Sequence, residues 1–209
     1  MKNVLYRKFY LRWKASGPAR YFKRRRFDFT DRLLGGLLSQ RERPARVLEV
    51  GCSFGADFLQ LAAGNPALEL YGLDPVEKEH FDSRFTFIKG YASKIDFPDG
   101  YFDAVVSYGV LEHIQPMEEL CASAREIARV SKRYCLMVPA VSTLFEPHMA
   151  SFGWQLRGRR RKKPHPALNY LSDDAWLKFG GFADARTTRF RYMPMITNLV
   201  IYRTGEAPA

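Results

Sequence analysis

Three cysteines, Cys52, Cys121 and Cys135, are all that 209 residues contain. An odd count with no metal-ligand spacing excludes a disulfide-stapled scaffold and predicts a reduced, cytoplasmic chain. No apolar run approaches the roughly eighteen residues of a membrane span. Met1 to Lys14 carries Lys2, Arg7, Lys8, Arg12 and Lys14 and lacks an uninterrupted apolar stretch, so no secretory signal is expected. The 15 glycines and 12 prolines follow no period, which excludes collagen-like and low-complexity chains. What is present is an ordinary globular balance, 46% hydrophobic and 26% charged, in a length that suits one α/β domain.

Acidic residues are scarce at both ends. The net charge is +11, but residues 1–46 hold 14 Lys and Arg against 3 Asp and Glu, residues 47–156 hold 8 against 15, and residues 157–209 hold 11 against 4. An acidic middle between basic ends points to an anionic partner. Near the start, Leu5, Tyr6, Phe9, Tyr10 and Trp13 share one helical face, flanked by basic residues. Gly17-Pro18 interrupts that pattern, and Lys23-Arg24-Arg25-Arg26 follows between Tyr21-Phe22 and Phe27. Such interleaving suits an anionic membrane surface, a nucleic acid, or a basic helix that packs its aromatic face on its own domain. A second run, Arg157 to Lys163, closed by Pro164-His165-Pro166, reads as an extended loop, idle or closing over substrate.

Between the ends, periodicity predicts strands at Val47–Val50, Leu68–Leu73, Thr86–Ile88, Phe102–Ser107 and Tyr134–Val138. It predicts helices at Asp31–Gln40, with Thr30 as cap, at Asp57–Ala63 and at Met117–Val130. Beyond Pro139 the rhythm fails for about thirty residues, as binding loops do. It resumes at Ser172-Asp173-Asp174, an N-cap leading a helix that Gly180-Gly181 ends, followed by strands near Ala183–Phe190 and Ile196–Tyr202. Strands alternating with helices imply a parallel sheet covered on both faces.

The first strand runs into Gly51-Cys52-Ser53-Phe54-Gly55. Glycines past a parallel strand allow a tight turn and close approach by a ligand, which meets free N–H groups at the following helix. Alone, the turn is weak evidence. Twenty-three residues after Gly51, the second strand ends in Asp74-Pro75, an acid placed to accept both hydroxyls of a ribose. The pair specifies a nucleoside ligand without separating a dinucleotide from an adenosyl cofactor, and a nicotinamide oxidoreductase shares the turn.

The segment Gly90-Tyr91-Ala92-Ser93 through Phe97-Pro98-Asp99-Gly100-Tyr101-Phe102-Asp103, then Leu111-Glu112-His113, resembles the class I S-adenosylmethionine-dependent methyltransferases, in the broad small-molecule subgroup. The resemblance is tight over about residues 46–139. It implies a doubly wound, mostly parallel seven-stranded sheet of Rossmann-like form with the last strand antiparallel, and S-adenosyl-L-methionine as cofactor. It implies that Glu49 orients the turn and the methionine amino group, and that Gly51, Cys52, Ser53 and Gly55 wrap the methionine and sulfonium. Asp74, with Pro75 beside it, should hold the ribose. Tyr91, Ala92 and Ser93 should border the adenine, and Ser107 and Tyr108 should line the site beside the methyl group. Ser53 stands where the family usually has Gly, and Tyr91 where it often has Asp.

His113, after the fourth strand, and His148, in the variable region, are the candidate catalytic bases for a hydroxyl acceptor. The alternative for His113 is local packing and hydrogen bonding, and for His148 a loop position with no role. Residues 1–29 are read as a basic aromatic arm and 30–209 as the methyltransferase domain, with a variable basic loop at about 140–170. The expected acceptor is anionic or membrane-associated, a small molecule, lipid-linked or glycan intermediate, and the arm is expected to meet an anionic membrane surface. An RNA acceptor is the alternative, although there is no Asn-Pro-Pro-Tyr-like tetrad and no separate RNA-binding module. A non-catalytic scaffold is the other alternative, supported only by Ser53 and Tyr91.

Overall fold

The computed structural model describes residues 17–55, 57–77, 82–146, 151–152, 168–169 and 171–205. Their strands are β1 (Ala45–Val50), β2 (Leu68–Asp74), β3 (Thr86–Lys89), β4 (Ala104–Tyr108), β5 (Tyr134–Pro139), β6 (Phe145–Glu146), β7 (Ser151–Phe152), β8 (Arg186–Met193) and β9 (Ile196–Arg203). Seven of them form one sheet in the order β3-β2-β1-β4-β5-β9-β8, while β6 and β7 pair with each other. The first five are mutually parallel, and β9 opposes both β5 and β8. Strand β8 therefore runs with the parallel set and only the last strand opposes it, as the resemblance implies.

The central strands are apolar on both faces because both faces are covered. Leu48, Val50, Val105 and Leu136 belong to one core with Ile127 and Trp176. Their neighbours Val47, Val106, Cys135 and Met137 belong to the other with Phe27, Leu34 and Phe58. Alternate residues thus serve opposite layers, the period of two expected of a strand.

Four helices are described: α1 (Gly17–Leu33), α2 (Phe58–Ala62), α3 (Met117–Val130) and α4 (Asp173–Leu177). Helix α3 forms over the predicted residues, burying Leu120, Ala124, Ile127 and Val130 at helical spacing. Ser172 caps α4, its side chain accepting from the Ala175 amide. The glycines after it form a 3-10 turn, Gly180–Phe182, and β8 starts at Arg186 rather than Ala183.

Helix α1 corrects the sequence reading. Gly17 and Pro18 lie in α1 together with Lys23–Arg26, so one described helix carries the basic run up to Leu33. The helix predicted over Asp31–Gln40 does not form. Instead α1 ends at Gly35 and Gly36, both with positive φ (71° and 76°). The Gly36 amide donates to Asp31 O and the Gly35 amide to Arg32 O, the paired bonds of a Schellman cap. Thr30, the expected cap, is fully buried inside α1, on the face that also buries Ala19 and Phe27. Its neighbour Phe29 packs on Phe190 with centroids 4.8 Å apart. The junction placed between residues 29 and 30 falls inside this helix. Residues 1–16, the Arg157–Lys163 run and His165 lie outside the described residues.

Where the 3-10 turn meets α3, a Cβ on Gly181 would stand 2.1 Å from the Ala124 carbonyl oxygen. That atom is backbone and cannot rotate away. Gly181→Ala is expected to destabilise the domain by about 1–3 kcal/mol, read as a lower urea midpoint with an unchanged far-UV spectrum before the transition.

Candidate active site

Order β3-β2-β1-β4 places a crevice where the connections part, past the carboxyl ends of β1 and β4. The chain leaves β1 there through a sharp reversal. Gly51 has φ +77°, and Ser53 adopts φ +51° despite its side chain. A residue with a Cβ pays roughly 1–2 kcal/mol in that region, which explains why the family usually has glycine there. A Cβ on Gly51 would meet Val110 Cγ2 at 2.2 Å, so the turn is packed directly against the segment after β4.

Asp74 holds this turn to the end of β2. Its Oδ2 accepts from the Ser53 amide at 2.9 Å and its Oδ1 from the Val76 amide at 2.9 Å. A carboxylate has about four lone-pair directions, so two remain for hydroxyl donors.

Glu49 is 5% exposed, and its Oε2 is buried without a hydrogen-bond partner. Burial pushes its carboxyl up to about 8. Arg26 opposes that rise, Asp57 and Asp74 add to it, and a bond from the Leu59 amide lowers it. Cys52 is 5% exposed, and burial pushes its thiol up to about 12, so it serves as a small packed residue rather than a nucleophile.

The site residues missed from sequence come from α1. Lys23 Nζ lies 2.5 Å from Asp57 Oδ1, and Arg26 Nη2 lies 3.7 Å from Asp57 Oδ2. The Arg26 guanidinium stands 4.2 Å from the centroid of Tyr108 and 5.5 Å from that of Tyr192. Thr30 Oγ1 and the Tyr108 hydroxyl are 2.7 Å apart. Burial holds the Tyr108 phenol well above its usual range, so it stays protonated. The signal was present: Ala19, Lys23, Arg26, Phe27, Thr30 and Leu34 recur at three- and four-residue spacing, and dividing the segment at residue 30 hid it.

A cavity of about 740 Å³ opens between the Gly51 turn and the loop after β3. Gly51, Pro75, Tyr91, Ala92, Ser93, Val110 and His113 line it together with residues at the start of α3. The structure thus gathers Tyr91, Ala92 and Ser93, expected beside an adenine, around one space and places His113, which is exposed, beside them. Glu49, Cys52, Ser53, Gly55, Asp74 and Tyr108 are not among its lining residues. Ser107 is 1% exposed, and its hydroxyl donates to Val50 O at 3.0 Å, tying β4 to β1 instead of facing the cavity. His148 lies outside the described residues.

Residues 48–137 match the family model described as methyltransferase domain. Comparison with curated protein sequences finds no match. Among solved structures, the 1,6-didemethyltoxoflavin-N1-methyltransferase of Burkholderia thailandensis, bound to 1,6-didemethyltoxoflavin and S-adenosylhomocysteine, superposes with a TM-score of 0.57. The two chains are 18% identical, and the match covers 96% of this chain and 87% of that one. A Methanosarcina mazei S-adenosylmethionine-dependent methyltransferase gives 0.54 at 16% identity, covering 77% and 92%. The [4+2]-cyclase SpnF gives 0.53 at 16% identity, covering 82% and 79%. Identities this low establish the fold and leave the reaction open, since a cyclase is among them. The match of the domain model supplies the class. Residues 48–137 are a methyltransferase domain that takes S-adenosylmethionine as cofactor.

The residues present fit that cofactor. A cavity walled by Tyr91, Ala92 and Ser93 suits a purine, Asp74 keeps lone pairs for a ribose diol, and the orphaned oxygen of Glu49 suits an ammonium group.

Two outcomes test this construction. Gly51→Ala places a methyl group into Val110 at a backbone angle that resists it, and is expected to abolish S-adenosylhomocysteine binding in calorimetry. Adding Val110→Ala removes the collision but not the strained φ, so stability returns in part. For Glu49 the folded pKa lies above the unfolded value, so the native state holds the proton more tightly and stability falls as pH rises from about 4.5 through about 8. Glu49→Gln removes that dependence. Thermal unfolding should find the variant little changed at the acid end and more stable than the parent above pH 8, by roughly 2–4 kcal/mol.

Proposed function

We propose that the methyl acceptor is an anionic or membrane-associated small molecule, a lipid-linked or glycan intermediate. The observation that supports this is the position of α1. This basic helix faces the reaction end of the sheet through Lys23 and Arg26, and leaves Arg20, Arg24 and Arg25 exposed on its other side.

When bound, the cofactor supplies an electrophilic methyl group on sulfur, and the protein's task is chiefly to hold a nucleophile in line with it at about 3 Å. Glu49 would meet the ammonium end, Asp74 the ribose, and Tyr91, Ala92 and Ser93 the purine. Tyr108 and Arg26 form one stacked wall on the acceptor side; the phenol, bonded to Thr30, orients and does not take a proton. A hydroxyl acceptor needs a base, and His113, at the cavity wall, is assigned that role together with His148 as the second candidate.

The test is transfer of isotope-labelled methyl from S-adenosylmethionine to extracted fractions solubilised in detergent. Label is expected in the lipid-linked or glycan fraction, and Asp74→Ala should lose it along with S-adenosylhomocysteine affinity. His113→Ala should lower kcat by about 10²–10⁴ if it is the base for a hydroxyl acceptor. Label entering RNA alone overturns the reading.

A further inference from the structure

We propose that the rim around the acceptor side is a docking surface for an anionic lipid bilayer. Its use rests on the acceptor reading above; its geometry does not. Because β8 runs with the parallel strands, its carboxyl end and the two-residue turn Pro194-Met195 lie at the same edge as Gly51 and Tyr108. The turn after β5 is stitched to this hairpin tip. The Leu144 and Phe145 amides donate to Met195 O at 3.2 and 3.0 Å, and the Thr143 hydroxyl donates to it at 3.2 Å. Three large apolar side chains on these two joined turns face water: Leu144 at 56%, Met195 at 48% and Val141 at 40% exposure.

Helix α1 extends the rim. Phe22 packs on Tyr192, three residues before Met195, with centroids 5.8 Å apart. Tyr21, 62% exposed, packs on Phe22 at 5.5 Å. The Arg25 guanidinium stands over Tyr21 at 5.8 Å and over Phe190 at 5.9 Å. Arg20 and Arg191 are exposed on the same helix and on β8, with no acidic partner among the described residues. The nearby acids, Asp28 and Asp173, are each paired with an arginine, Arg24 and Arg189.

Single exposed apolar residues are ordinary, but a joined group of them ringed by arginine is not. Aliphatic tips that enter the acyl boundary, an aromatic at the interface and arginines that reach phosphate match a bilayer with negative charge. An RNA backbone would engage the arginines and leave Leu144, Val141 and Met195 without a role. Docking there would present the crevice to acceptors held in the membrane.

The experiment is cosedimentation of the full chain with vesicles of phosphatidylcholine alone and of phosphatidylcholine with phosphatidylglycerol in equal parts, at low and high salt. Binding is expected only with phosphatidylglycerol and is expected to persist in part at high salt. Arg20→Gln, Arg25→Gln and Arg191→Gln should each lower partitioning about fivefold. Leu144→Ser with Met195→Ser should remove the salt-resistant part, and S-adenosylhomocysteine binding should stay unchanged in all of them. No binding to phosphatidylglycerol vesicles overturns the proposal. So does binding that both sets of variants leave intact, or binding that total RNA displaces completely. Lipid label in detergent without vesicle binding removes the docking surface and keeps the acceptor. Vesicle binding that the variants weaken, with label in RNA alone, does the reverse.

Discussion

The bond from the Ser53 amide to Asp74 Oδ2 joins the ends of two strands at the point where the sheet must open for a ligand. The Gly51 and Cys52 amides also tie the reversal to β2 by donating to Leu73 O at 2.7 and 3.3 Å, but the Asp74 bond is the one made by Ser53, which is poorly suited to hold φ +51° alone. The same carboxylate also fixes the chain beyond β2 through Val76. One acid therefore sets the spacing of the Gly51 turn from Pro75, and Val110, pressed on Gly51, carries that setting to the segment after β4. The cavity is the space these three strand ends leave between them.

Electrostatics ties α1 to this edge. A carboxyl as buried as Glu49 could not stay ionised without nearby positive charge. Arg26 supplies some, but Asp57 draws both Lys23 and Arg26 toward itself, and burial still dominates. The free protein thus keeps a neutral acid at a place where a cation would make it ionise.

Legibility followed the range of the interactions. β1, β2, β4, β5 and α3 could be read because their patterns are local: apolar runs for strands covered on both faces, and a 3.6-residue stripe in α3. The turn and Asp74 could be read as a pair because their spacing follows from one strand-helix-strand unit. Ser107 could not be placed correctly, since whether its hydroxyl faces the cavity or bonds Val50 depends on strand pairing. Helix α1 was missed for a different reason. Gly35-Gly36, which a helix over Asp31–Gln40 would place in its interior, close α1 instead. That one exchange moved Thr30 from a cap to the core and hid the approach of Arg26 to Tyr108.

The basic residues of α1 have two destinations that composition cannot separate. Lys23 and Arg26, three apart, lie on the inward side with Phe27 and Thr30, and their charge is matched by Asp57 and by aromatic faces. Arg20, Arg24 and Arg25 lie outward, where Asp28 answers only one of them. A solvated arginine gains little from a single surface pair, so the Arg24–Asp28 pair adds little to the fold. The helical period thus divides one run of charge into residues that pack on the domain and residues that face solvent.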